Sequence, residues 1–148
     1  MCLTKNNTRF IQDVLKREGN LSFTVCGYSM APFLMNNQEV QIIFRNNPLP
    51  GDCVLYRKDD KLVLHRLVKR GEGISVFAGD NSPFFESVSN DKIIGVLHES
   101  CPNRLNKCII TLFNIIIFGI TSLIPGHRPT VLMKVKRKML HVSEWRLK

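Results

Sequence analysis

The 148-residue chain lacks the cysteine pattern of a zinc site, a redox motif or a disulfide framework. It has five cysteines, an odd number, and no two of them have the close spacing of metal or redox cysteines. They are Cys2, Cys26, Cys53, Cys101 and Cys108. We expect buried or free thiols, because unpaired cysteine behaves as a small apolar residue. We also expect no bound metal and no cofactor.

Long apolar runs are also absent from the first 20 residues, which are mostly polar, so we expect no cleavable targeting peptide there. Their apolar residues Phe10, Ile11, Val14 and Leu15 share one face at helical spacing, and Gly19 follows them. The pattern predicts an N-terminal amphipathic helix over residues 1–20 that ends at the glycine.

Acidic residues are scarce in the last third of the chain. Residues 1–100 hold 12 Lys and Arg against 11 Asp and Glu, whereas residues 101–148 hold nine against one. The net charge of +9 therefore belongs to the tail. The basic stretch 131–148 contains one aromatic residue, Trp145, which offers little base stacking to a nucleic acid. A basic tail beside an apolar run fits an anionic membrane surface, so we expect a membrane partner and no nucleic acid.

The one long apolar run covers residues 108–124 and has 17 residues, the short limit of the roughly 17–25 that cross a bilayer. It contains Asn114 and Gly119, which weaken a spanning interpretation. Three arrangements stay open: the run spans the membrane, lies in or on it, or packs on the preceding domain. We expect residues 101–148 to form an apolar and basic helical tail. It would associate with the cytoplasmic membrane through residues 108–148, on a side that the sequence leaves open.

Residues 21–100 alternate between short apolar runs and turn residues, which is typical of strands about ten residues apart. Six strands are expected, at 21–25, 39–44, 52–56, 61–68, 74–78 and 92–97. The predicted fold class is mainly β, a small barrel or sandwich of short strands, flanked by the two helical segments.

Two residues of this central domain could act together as a nucleophile and its base. Ser29 lies in the turn-like segment CGYSMAP, and His65 lies in KLVLHRLV, where alternation places Leu62 and Leu64 on the face opposite the histidine. A serine hydroxyl is a poor nucleophile without a neighbouring base, and histidine has a suitable pKa near neutrality. The base needs a carboxylate to orient it, and three acidic residues follow: Asp80, Glu86 and Asp91. These residue types permit a catalytic triad, but the sequence does not show that they lie close together in space.

Five sequence blocks occur in order within residues 21–98: GYSMAPFL, PGDCVLY, LVLHRLVKR, FAGDN and IIGVL. They resemble the motifs of the type I signal peptidase superfamily, which read Ser-Met-x-Pro, Gly-Asp-x-Val, a base followed by Arg, Gly-Asp-Asn, and Ile-Gly-x-Val. The base position before Arg66 is His65, so the chain resembles the Ser-His branch of archaeal and endoplasmic-reticulum-type enzymes. It is also similar to small bacterial members. The resemblance implies a signal-peptidase-like fold and cleavage of a leader or signal segment in an extended peptide or protein substrate.

Carried onto this sequence, the resemblance makes Ser29 the nucleophile and His65 the general base. Asp80 matches an acidic position typical of the family. In the Ser-His branch an aspartate six residues later assists the histidine, and this chain has Glu86 there instead. Which acid supports His65 stays open. The Ser29 N–H is expected to donate to the oxyanion, and Gly27, where the family often has serine, can add only a backbone contribution.

The leading hypothesis is therefore a serine endopeptidase. The alternative is a signal-peptidase-like module that binds or regulates with weak or no catalysis, and it is motivated by Glu86 and Gly27. Arg66 is expected to have a structural role, because a guanidinium can hold a loop through several donors.

Overall fold

The computed structural model describes residues 5–82, 84–98, 104–123, 134 and 138. Its elements in chain order are helix α1 Lys5–Glu18, strands β1 Asn20–Thr24, β2 Glu39–Ile43, β3 Cys53–Lys58, β4 Lys61–Lys69, β5 Ile74–Ala78, β6 Phe85–Ser89 and β7 Ile93–Leu97, and helix α2 Arg104–Leu123. The mainly β expectation is confirmed. The structure adds β6, which lies between the GDNSP loop and the strand expected at 92–97, where the sequence predicts no strand.

The seven strands form one antiparallel sheet in the order β1-β2-β7-β3-β4-β5-β6, and this sheet curls into a half-barrel. It is a single curved layer instead of two stacked sheets. The β3–β4 hairpin is its longest regular pairing, with a two-residue turn at Asp59 and Asp60. Asp59 has a φ of +52°, a left-handed conformation that aspartate tolerates better than most residues.

Apolar side chains pack on both faces of the sheet. One core cluster contains Leu15, Met30, Leu34, Val40, Ile42, Cys53, Leu55, Ile94 and Leu97. A second cluster contains Val54, Tyr56, Leu67, Phe77, Val88 and Val96. Leu62 and Leu64 pack on the first cluster and Val63 on the second, as strand alternation predicts for β4.

The first helix attaches to the sheet through its last turns. Leu15 is fully buried in the first core cluster, and Ile11 packs beside it. The Gly19 N–H donates to the Leu15 carbonyl, and the φ of +79° at Gly19 lets the chain turn from the helix into β1. Phe10, on the same apolar face of the helix, is 67% exposed.

The apolar run forms most of α2, which lies beside the sheet. Ile117 is buried, the helix contacts β4, and the Phe118 ring meets the Phe85 ring of β6 with centroids 5.2 Å apart. The structure therefore shows the helix packed on the preceding β domain, which is one of the three arrangements left open by the sequence. Within the described ranges, no helix has the length and apolarity needed to cross a bilayer. The basic segment that follows lies outside the described residues, except for the helical residues Lys134 and Lys138.

Candidate active site

The turn between β1 and β2 presents Ser29 to solvent while its neighbours anchor the turn. Ser29 is exposed, but Met30 and Leu34 are buried in the first core cluster. Gly27 has a φ of +95°, a conformation that strongly favours glycine, and its N–H donates to Asn36 Oδ1 at 2.9 Å. The hydroxyl is thus held at the surface by a turn that is fixed on both sides.

His65 approaches this hydroxyl from the middle of β4. Its Nε2 lies 3.1 Å from Ser29 Oγ, and the residue is 8% exposed. A buried, strand-borne imidazole has little freedom to turn away, whereas the serine stays accessible to a substrate. This is the geometry that a general base needs to take a hydroxyl proton.

Strand register brings two further polar side chains to the same face as His65. His65 pairs with Val54 of β3, so Tyr56 two residues on lies diagonally across from it. Leu67 pairs with Phe77 of β5, and Phe77 pairs with Glu86 of β6. Three adjacent antiparallel pairings therefore place the phenol and the carboxylate beside the imidazole.

These side chains form a connected network. The Tyr56 hydroxyl lies 3.1 Å from His65 Nδ1 and donates to Glu86 Oε2 at 2.9 Å. Lys58 Nζ contacts the same carboxylate oxygen at 3.0 Å. Glu86 Oε1 itself is 4.0 Å from His65 Nδ1, beyond a good hydrogen bond. The carboxylate reaches the histidine mainly through the tyrosine.

The network keeps each group in a defined charge state near neutral pH. Burial lowers the pKa of His65 below its ordinary value of 6.5, although the Glu86 and Asp80 carboxylates oppose that shift. Burial alone would raise the pKa of Glu86, but the hydrogen bonds from Lys58 and Tyr56 outweigh it and leave that pKa lowered. Burial and then the Glu86 charge raise the pKa of the Tyr56 phenol. His65 is therefore neutral, Glu86 ionised and Tyr56 protonated.

Beneath the serine lies a second, fully buried pair. Arg66 and Asp80 are both 0% exposed and form two hydrogen bonds, from Nε to Oδ1 at 2.8 Å and from the second guanidinium nitrogen to Oδ2 at 2.5 Å. Arg66 also donates to the Gly51 carbonyl at 2.7 Å. Such bidentate geometry compensates for the cost of removing both charges from water. The pair joins the loop before β3 to the loop after β5.

The loop after β5 supports the serine turn directly. The Asn81 N–H donates to the Ser29 carbonyl at 2.8 Å, and Asn81 Nδ2 donates to the Tyr28 carbonyl at 3.3 Å. Gly79 is buried against the same turn: a Cβ there would lie 2.7 Å from the Ser29 carbonyl oxygen and 3.2 Å from Ser29 Cβ. The glycine of the FAGDN block is needed for this close approach.

The structure brings Ser29, His65 and Glu86 into one network and assigns Asp80 elsewhere. Because both Asp80 oxygens bond Arg66, the option that Asp80 orients His65 is wrong, whereas the structural expectation for Arg66 agrees with its three hydrogen bonds. Asp91 lies in the short 3₁₀ helix Asn90–Lys92, which follows the Glu86 strand.

The two backbone groups expected at the oxyanion differ in their partners. Among the described residues no hydrogen bond is donated by the Ser29 N–H, which leaves it suited to a substrate oxygen. The Gly27 N–H is bonded to Asn36, so a contribution from Gly27 does not fit this geometry.

Sequence interpretation missed Tyr56 and Lys58. A signal was present, because the polar RKDD turn fixes the hairpin register, and counting back from it sets Tyr56 diagonal to His65. Within the described part of the chain, no three His, Cys, Asp or Glu side chains group as metal ligands.

Replacing Asp80 by asparagine should destabilise the fold strongly. The change leaves the buried Arg66 charge without a counter-ion, which typically costs about 3–5 kcal/mol in the free energy of unfolding. Urea denaturation measures the loss, and Asp60→Asn on the exposed hairpin turn is the matched control, with a change expected within about 0.5 kcal/mol. Unchanged stability in Asp80→Asn would contradict the structural role.

Replacing Gly79 by alanine should displace Ser29. The added methyl overlaps the Ser29 carbonyl, and a shift of up to about 1 Å at a reacting atom costs up to about 100-fold in rate. We expect a serine-acylating probe to label Gly79→Ala roughly 10- to 100-fold more slowly. Gly73→Ala, where a Cβ meets nothing within 4 Å, should react at the native rate. Equal rates in the two variants would show that the close approach is unimportant.

No known family model matches the chain, and no curated protein matches it. The resemblance to the signal peptidase superfamily therefore remains a prediction that depends on the five ordered blocks.

Proposed function

We propose that the protein is a serine endopeptidase of the signal-peptidase type, in which Ser29 is the nucleophile and His65 the base. One observation carries the proposal: an exposed serine hydroxyl lies 3.1 Å from a buried imidazole whose other nitrogen is tied to an ionised acid through Tyr56. The five sequence blocks support the signal-peptidase type, and the curled sheet is compatible with that fold.

The proposed reaction proceeds in two stages. Ser29 Oγ bonds to the substrate carbonyl carbon while its proton moves to His65 Nε2, and the Ser29 N–H donates to the oxyanion. The carbon–nitrogen bond then breaks, and the leaving amine takes the proton from His65. In the second stage His65 removes a proton from water, the hydroxide adds to the acyl carbon, and Ser29 regains its proton as the acid leaves.

The proposed substrate is an extended leader or signal segment. Such a segment pairs through its backbone with an exposed strand, and small pockets then select its side chains. The resemblance implies small residues before the scissile bond. No metal or cofactor is required by the proposed steps.

The decisive experiment combines acylation with site variants. A serine-reactive phosphonate should add one mass increment to the full-length protein at Ser29, and Ser29→Ala should abolish the labelling. His65→Ala should slow it by about 10²–10⁴-fold, the usual contribution of a general base. Labelling that persists in Ser29→Ala would refute the role of Ser29 as the nucleophile. A native protein that is not labelled and cleaves no substrate would favour the binding or regulatory module.

The same labelling has a predicted pH dependence. Only neutral His65 can accept the serine proton, and the neutral form predominates above the pKa of the imidazole. Because burial lowers that pKa below 6.5, the rate should rise with pH through a midpoint under 6.5 and be level at neutrality. A midpoint above 7 would contradict the buried, neutral base.

Membrane association is a separate proposal, and it rests on the outward face of α2. Among the α2 residues whose burial the structure describes, all the exposed ones are apolar or glycine. They are Ile109, Leu112, Ile115, Ile116, Gly119 and Leu123. Their spacing follows the helical period, opposite buried Asn114 and Ile117. An apolar stripe of this length indicates a binding surface.

The proposed partner is an anionic bilayer surface at the cytoplasmic membrane. Residues 101–148 carry nine basic residues against one acidic residue, and exposed Lys134 and Lys138 belong to this excess. Anionic headgroups complement that charge, while an apolar helix face enters the headgroup–acyl boundary. Since the opposite face packs on the sheet, the helix would lie along the surface.

Binding to lipid vesicles tests this proposal. The full-length protein should sediment with vesicles that contain phosphatidylglycerol and much less with pure phosphatidylcholine. The double variant Leu112→Glu, Ile116→Glu should lose at least about tenfold in binding, because two charges enter the apolar stripe. Ile74→Glu, at an exposed apolar residue of β5, is the control. Dimerisation of native protein that the double variant abolishes, without vesicle binding, would identify a second copy as the occupant instead.

A further inference from the structure

We propose that Tyr56 is a positioning residue that sets the tautomer of His65: its hydroxyl oxygen accepts a hydrogen bond from Nδ1–H, and its hydroxyl donates a hydrogen bond to Glu86. The inference rests on the proposed peptidase function for its consequence, but its geometry stands apart from that function. Neither the family resemblance nor the sequence pattern assigns a role to this tyrosine.

The single proton of the Tyr56 hydroxyl can point to only one neighbour at a time. The phenol has one proton and two close neighbours, Glu86 Oε2 at 2.9 Å and His65 Nδ1 at 3.1 Å. An ionised carboxylate can only accept hydrogen bonds, so the phenol proton must point to Glu86. The phenol oxygen then faces Nδ1 with a lone pair, and the contact is satisfied only when Nδ1 carries a proton.

The tautomer decides whether His65 can act as a base. With its proton on Nδ1, a neutral imidazole presents the Nε2 lone pair to Ser29 Oγ, 3.1 Å away. In the other tautomer Nε2 donates to the serine and cannot take its proton. Fixing the tautomer is the role that the carboxylate has in a Ser-His-Asp triad.

Glu86 does not reach the imidazole directly. Its nearer oxygen stands 4.0 Å from Nδ1, while Lys58 holds the other oxygen at 3.0 Å. Tyr56 bridges the gap from a fixed position, because it is 0% exposed and its ring packs against Phe77 with centroids 4.6 Å apart. Little movement of the phenol is possible without opening the core.

Several charged or polar groups face His65 from the surrounding elements. Ser29 approaches from the turn, Tyr56 and Lys58 from β3, Glu86 from β6, and Asp80 acts from the loop after β5. The two carboxylates favour a positive imidazole and Lys58 disfavours it. Among the described residues, the hydrogen bond at Nδ1 is made with Tyr56, and a phenol that donates to Glu86 can form it with the Nδ1–H tautomer alone.

Nitrogen NMR of histidine reads the tautomer without requiring turnover. In the full-length protein and in Ser29→Ala, with labelled histidine, neutral His65 should carry its proton on Nδ1. Tyr56→Phe removes the acceptor and should shift the population toward Nε2–H. Glu86→Ala should shift it the same way, because the freed phenol proton can now point at Nδ1. The His65 signal is assigned by its loss in His65→Gln.

Labelling kinetics provide the second measurement. Tyr56→Phe should lower the maximal rate of Ser29 acylation by about 10- to 100-fold, part of the usual general-base contribution, with probe affinity unchanged. Val96→Ala is the matched control: it opens the same core cluster and lowers stability, yet keeps both the phenol and the Phe77 ring beside it, so the tautomer should stay Nδ1–H.

The outcomes separate the two proposals. An Nε2–H tautomer in the native protein, or a tautomer unaffected by both Tyr56→Phe and Glu86→Ala, would overturn the positioning role even if Ser29 is reactive. A tautomer that depends on Tyr56 in a protein without peptidase activity would support the positioning role and refute the proposed function. If Tyr56→Phe does not fold, the Glu86→Ala spectrum decides.

Discussion

The buried ion pair between Arg66 and Asp80 is the constraint on which the candidate site depends. Neither charge can be left alone in the interior, so Arg66 of β4 and Asp80 of the loop after β5 must stay together. Asp80 brings Gly79 and Asn81 with it, and these two residues contact the Ser29 turn. One electrostatic requirement therefore fixes the position of Ser29 relative to the sheet.

His65 is positioned by a different kind of constraint, the register of the strands. His65 and Arg66 are consecutive residues of β4, and alternation directs them to opposite faces. His65 faces the tyrosine and the glutamate, while Arg66 faces the loops that support the serine. A slip of one residue in this strand would move each of the two side chains to the opposite face. Both the His65–Ser29 contact and the Arg66–Asp80 ion pair would then be lost. The hairpin turn at Asp59 and Asp60 prevents this slip.

The sequence predicts local features well where one residue or one alternation decides them. The mainly β composition, the opposite faces of Leu64 and His65 and the structural role of Arg66 are all of this kind. The missed strand β6 follows the turn-rich GDNSP segment and reads FESVS, in which Glu86 and Ser87 are consecutive polar residues, so its alternation is weak. Its place in the sheet comes from pairing with β5, a contact between chain segments. The choice between Asp80 and Glu86 was open for the same reason, because spacing along the chain does not say which carboxylate the buried guanidinium takes.

The longer acid and the tyrosine form one solution to a problem of reach. An aspartate would have to approach the imidazole itself, whereas Glu86 lies across two strands from His65 and is drawn outward by half-exposed Lys58. Tyr56 crosses that distance with a rigid ring, whose hydroxyl can accept from one neighbour only by donating to the other. Tyr56 therefore contacts the His65 imidazole, while the negative charge of Glu86 lies farther from the ring. The charge can sit near solvent, partly neutralised by lysine, while the contact that selects the tautomer stays in the dry core. The difference at residue 86 from the pattern that the sequence resembles is therefore understandable only together with residue 56, and neither residue would be informative alone.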